Sequence, residues 1–94
     1  MPAPFHTVLA AAQEGAEWAV GELYRAHAPA IERYLRAQEP REHADIAADT
    51  WLDAARNLRT FRGDEDGFAG WLFTIARRRL VDHRRARRRR PVDP

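Results

Sequence analysis

The sequence predicts an all-α domain, a compact orthogonal bundle of four to five helices whose last helix is extended and Arg-rich. Three observations carry that reading. Apolar residues recur at the 3.6-residue spacing of a helix face, and no stretch shows the two-residue alternation of a strand. Gly, Pro and polar clusters fall between the periodic stretches, where helices stop. A chain of 94 residues, 45% of them apolar, is enough for one core and no more.

The elements follow in order. Thr7 stands where it can cap a short first helix, Val8 to Gln13, and Gly15 is its stop signal. Apolar residues at 20, 23, 24, 27, 31, 34 and 35 then mark one buried face. Pro29 predicts a kink or a new helix start, and the phase survives it, so both halves should face the same core. Pro40 and His43 mark a short connection. On the next helix Ala47, Trp51, Ala54, Ala55 and Leu58 gather on one side. Asp45, Asp49 and Asp53 fall at i, i+4 and i+8 on another, with Leu52 and Arg56 beside them. Residues 62–67, Arg-Gly-Asp-Glu-Asp-Gly, read as a loop. The last helix carries Phe68, Trp71, Leu72, Ile75, Ala76 and Leu80 inward and runs toward Arg90.

The charge is unevenly placed. Residues 77–90 hold nine Arg and one Asp, a net +8, while the other eighty residues sum to −6. An acidic body with a basic tip suggests two partners of opposite charge. Arg77, Arg78, Arg84, Arg85 and Arg88 share the face opposite the apolar stripe, which suits a phosphate backbone. Repulsion along that end should fray it unless an anion lies against it. The three aspartates contribute nothing to an isolated helix, because like charges at i, i+4 repel. They form either a solvated face or a docking face for a basic helix, and charge alone leaves both open. Phe61 and Trp71 flank the loop and are the aromatics best placed for base contact.

Several classes fall away. Cys and Ser are absent, so neither is available as a nucleophile, and no disulfide or thiolate metal site can form. The four His are scattered and no Gly-rich phosphate loop occurs, so neither an enzyme nor a cofactor is expected. Asp64, Glu65 and Asp66 lack any metal-loop pattern. No signal peptide or membrane-spanning run is legible, and a cytoplasmic protein is the expectation.

Three stretches together resemble the extracytoplasmic-function group of the sigma-70 family. His43-Ala44-Asp45-Ile46-Ala47-Ala48-Asp49-Thr50-Trp51-Leu52 is similar to the D-L-x-Q-E-T-F-L stretch of its core-binding helix. Phe61-Arg62-Gly63-Asp64 and Phe68-Ala69-Gly70-Trp71-Leu72-Phe73-Thr74-Ile75-Ala76-Arg77 resemble its F-R-G-[DE]…F-x-x-W-L-x-x-I-A-R stretch. Val81-Asp82-His83-Arg84-Arg85 resembles the following I-D-H-x-R run. Upstream, Glu22-Leu23-Tyr24-Arg25, Ala28-Pro29 and Arg33-Tyr34-Leu35-Arg36 are similar to its opening E-L-Y-x-x-[YH]-x-P…R-Y-L-R. The order and spacing of the pieces carry more than any one of them.

The resemblance implies a sigma region 2 domain over residues 1–90, with an interdomain linker beginning at 91–94 and a second helical domain lying outside this chain, which is read as a fragment. It implies that Asp45, Ala48, Asp49, Leu52, Asp53 and Arg56 dock on the clamp helices of the RNA polymerase β′ subunit. It implies that the loop around Phe61, Arg62, Gly63 and Asp64, with Trp71, receives a flipped base of the minus-ten non-template strand. Arg77, Arg78, Arg84, Arg85 and Arg88 would then hold the phosphates, and an anti-sigma factor is a further expected partner. Three positions depart from the pattern. Ala48 replaces a usual Gln, Arg78 a common Asn, and the loop from Phe61 to Phe68 is one residue longer, so promoter preference does not carry over. Two other classes remain in view: a sequence-independent, Arg-rich nucleic-acid-binding module, and an interaction module whose tail binds an acidic protein.

Overall fold

The computed structural model describes residues 3–89; the linker expected at 91–94 and the last residue of the basic run, Arg90, lie outside them. Four helices follow one another: α1 (Phe5–Gln13), α2 (Glu17–Gln38), α3 (His43–Asn57) and α4 (Glu65–Arg89), with a 3-10 turn at Leu58–Thr60 and no strand among the described residues. The fold is all-α, as the periodicity requires.

Helix α1 begins earlier than expected. Pro4 is extended at the N-cap and no side chain caps the helix. Its carbonyl accepts the amides of Thr7 (3.0 Å) and Val8 (3.2 Å), so Thr7 sits inside the first turn instead of capping it. At the other end Gly15 takes φ +94°. The Gly15 amide bonds the Ala12 carbonyl and the Ala16 amide reaches back to Ala11, the paired bonds of a Schellman stop. Only glycine adopts that backbone without strain.

Helix α2 is one helix. It continues through Pro29, so of the two expected outcomes, a kink or a fresh start, the fresh start does not occur. Proline removes one backbone bond, to the Arg25 carbonyl. Burial of Ala28, Ile31 and Leu35 around it offsets that loss, each large side chain contributing about 1.5–3 kcal/mol. The inward face is Ala19, Leu23, Ala28, Ile31 and Leu35. Val20 and Tyr24, assigned inward by spacing, are exposed at the rim.

Helix α3 buries Ile46, Ala47, Thr50 and Ala54; Trp51 is half-buried and Ala55, expected inside, faces solvent. Thr50 is fully enclosed, and its hydroxyl is satisfied by donating to the Ile46 carbonyl at 2.8 Å. Helix α4 packs Phe68, Leu72, Ile75, Ala76 and Leu80 inward, the face its spacing assigned. It starts at Glu65 because Asp64 Oδ1 accepts the Gly67 amide at 2.8 Å, an N-cap that converts half of the expected 62–67 loop into helix.

Candidate functional site

Two surfaces meet along α4, and the sequence located both but not their relation. Helices α3 and α4 pack antiparallel. Asp53 accepts Arg79 Nε at 2.6 Å and Asp49 Oδ2 lies 2.8 Å from His83 Nε2. The acidic stripe therefore splits. Asp45, Ala48, Leu52 and Arg56 face outward, Asp49 is shared between solvent and His83, and Asp53 is mostly turned inward. Arg79 holds the Asp53 carboxyl below its ordinary value, and Asp53 in turn raises Arg79. A stripe expected to be wholly free is in part a tether for the basic helix.

The arginines divide in the same way. Arg84, placed by the helical wheel on the face opposite the apolar stripe, donates from Nε to Glu39 Oε1 at 2.8 Å. Arg87 grips Glu39 with both terminal nitrogens, at 3.1 and 3.2 Å, and also reaches Glu42 at 3.3 Å. These contacts give Arg84, expected in the phosphate-facing set, a carboxylate partner within the protein. They also supply the anion that the basic end needs, and it comes from the protein itself. The hydrogen bonds from Arg87 and then Arg84 depress the Glu39 carboxyl below its usual range. Among the described residues Arg77, Arg78, Arg85, Arg88 and Arg89 have no carboxylate partner and are exposed. Arg77, Arg78 and Arg85 surround a shallow notch with Thr74, Val81 and Asp82. At about 1.5 Å per residue, Arg77 to Arg89 covers roughly 18 Å of helix.

The loop before α4 is built on aromatics. Phe61 is buried, with its ring 5.2 Å from Phe68 and 5.4 Å from Trp71. It packs as a core residue, the loop's hydrophobic anchor under the next helix, although it was expected among the aromatics placed for base contact. Trp71 is half-buried. Gly63 takes φ +147°, and a Cβ there would stand 3.0 Å from Phe61 Cζ, so glycine is required twice over. Asp64 is committed to its cap. Arg62 is exposed but turned back, donating to the carbonyls of Arg59 and Phe61, both at 2.8 Å. From the far side Gln13 Nε2 donates to the carbonyls of Leu58 and Phe61 at 3.0 Å, which fixes the turn entering the loop.

Gln13, Glu39, Glu42, Arg79, His83 and Arg87 were not singled out by sequence reasoning as parts of the site. The signal for the ladder was a four-residue spacing in two separate helices, at 49 and 53 and at 79, 83 and 87. Spacing carries no register between helices.

This arrangement defines a class. Residues 23–90 match the family description "Sigma-70 region 2", and the chain belongs to the sigma-70 family. The chain is 35% identical over 74 residues to the ECF RNA polymerase sigma factor BldN of Streptomyces coelicolor. That match covers 77% of this chain and 28% of the relative's length. No solved structure matches. The chain is thus a sigma factor domain of transcription initiation.

Proposed function

We propose that this domain holds RNA polymerase with α3 and promoter DNA with α4 and the loop before it. The observation that carries the proposal is the row of five exposed arginines that have no carboxylate partner among the described residues, on the side of α4 turned away from α3. The docking surface on polymerase is the outward stripe of Asp45, Ala48, Asp49, Leu52 and Arg56, with Asp53 behind it. Leu52 is half exposed and stands among charges, the composition of an interface centre with a polar rim. By family analogy its counterpart is the pair of β′ clamp helices.

On the DNA side, Arg77, Arg78, Arg85 and Arg88 neutralise phosphates of the minus-ten region. The Gly63 turn and Trp71 receive an unstacked base of the non-template strand. No bond is made or broken. Unstacking a base costs a few kcal/mol, offset by stacking and phosphate contacts. Capture of the melted strand draws the duplex toward the open state. An anti-sigma factor as a controlling partner, and action in the cytoplasm where polymerase works, belong to the same reading. Among the described residues no helix is long and apolar enough to cross a membrane.

The test is association with core polymerase. Asp45→Arg combined with Leu52→Asp changes two exposed side chains with no hydrogen-bonded partner among the described residues, so the fold should survive while core binding is lost. Retention of core by that variant refutes the docking face. For DNA, a single strand selected from a random pool should bind better than its scrambled version; equal binding would favour a sequence-independent nucleic-acid module.

A further inference from the structure

We infer that the corner between α2 and α3 acts as an internal phosphate surrogate, withholding Arg84 and Arg87 from nucleic acid, with Glu39 as its central positioning residue. The inference rests on the DNA half of the proposed function and assigns different work to arginines that the sequence presents as one run.

The corner is a built receptor. Glu39 follows the last turn of α2, where its amide still bonds the Leu35 carbonyl at 2.8 Å, and Pro40 comes next. Its side chain is only 12% exposed although it lies at a helix end. One oxygen takes Arg84 Nε and Arg87 Nη2, and the other takes Arg87 Nη1. Gln38 contributes its carbonyl and its side-chain oxygen to Arg84 Nη2, both at 3.3 Å, and Glu42 takes the second contact to Arg87. Paired acceptors facing planar guanidinium forks are the geometry by which a phosphate is also held.

Two consequences follow from counting charges. Sequence-independent affinity depends on how many phosphates are neutralised, and each adds about 0.9 to the slope of log affinity against log salt. Arg84 and Arg87, already satisfied, add nothing to that slope. Binding without regard to sequence is thereby held down, whereas the loop and Trp71, which are remote from the corner in the chain, keep their contacts. Glu39 thus raises discrimination without touching DNA.

The experiment is the salt dependence of binding to a random-sequence duplex, with helicity followed by circular dichroism. In the unaltered background, Arg84→Gln with Arg87→Gln should leave the slope unchanged, while Arg85→Gln with Arg88→Gln should lower it by about 1.8. Glu39→Gln removes the carboxylate that holds Arg84 and leaves Arg87 only its single contact to Glu42, and should raise the slope by up to about 1.8, so that affinity falls up to roughly tenfold further between about 50 and 200 mM salt. Adding Arg84→Gln and Arg87→Gln to Glu39→Gln should return it to the starting value, which a merely structural role would not do. A slope indifferent to Glu39→Gln, or one already lowered by removing Arg84 and Arg87 alone, overturns the inference and leaves the proposed function standing. Absence of any duplex binding at low salt overturns it together with the DNA half of that function; loss of core binding bears on neither.

Discussion

The two halves of α4 are held by different physics. From Glu65 to Leu80 the helix buries Phe68, Leu72, Ile75, Ala76 and Leu80 against α2, α3 and the loop aromatics. From Val81 to Arg89 no residue is fully buried, and the helix is tied to the body by His83, Arg84 and Arg87 reaching Asp49, Glu39 and Glu42. Apolar burial is insensitive to salt and to moderate pH. Ion pairs at a partly exposed surface are screened by salt and depend on the charge of their carboxylates. The first half can therefore act as a rigid base, and the second as a basic arm whose order responds to ionic conditions.

The largest expected effect breaks the first half. Leu72 is essentially enclosed, and Leu72→Ala should cost about 2–5 kcal/mol. With roughly 4–8 °C of melting temperature per kcal/mol in a domain of this size, the midpoint should fall by about 10 °C or more. A thermal melt followed by circular dichroism measures it, and an unmoved midpoint would mean that burial is not what holds this half.

Gly63→Ala comes next. The residue gains a Cβ against Phe61 at a backbone angle that suits glycine, a strain of about 1–3 kcal/mol. Urea denaturation reads the loss. A stability equal to that of the unaltered protein would show that the loop can re-form another way.

The smallest effect sharpens the contrast by pH. Folded His27 has its pKa lowered from 6.5 because burial disfavours the cation, partly opposed by Glu65. Its ring packs on Phe68 in the first half. A depressed folded value means that the stability it permits is complete above 6.5 and is lost as pH falls below that value. Glu39 and Asp53 are likewise depressed, from 4.5 and 3.8, so their contribution persists above those values and is lost as pH falls through the lowered ones. Mild acid should reduce global stability through His27, and a His27→Asn variant should flatten that limb. Stronger acid should speed amide exchange at 81–89 before it does so at 68–80. Simultaneous loss of protection in both halves would remove the distinction between them.

Much was legible without coordinates, and for identifiable reasons. Gly15 as a stop, the inward face of α4 and the concentration of arginine near the end of the chain are local matters of spacing and backbone preference. So was the resemblance that the family match bears out. Thr7, Val20, Tyr24 and Ala55 were misplaced because local signals there gave way to neighbours. The Pro4 carbonyl started α1, and the packed faces of α2 and α3 took in Ala19 and Ile46 while leaving Val20 and Ala55 outside.

The charges mark the same boundary between chain and fold. Composition and periodicity alone determined an all-helical domain with an acidic helix, a glycine-bearing turn and a basic helix, because a helix face and a turn are set within a few residues of chain. Which charges are free was decided only in three dimensions. An ion pair such as Asp53–Arg79 or Glu39–Arg84 joins residues 26 and 45 positions apart, and depends on the register in which two antiparallel helices come to rest. That register is set by the shapes of buried side chains such as Ile46, Thr50, Leu72 and Ala76, which no pattern of charge along the chain encodes.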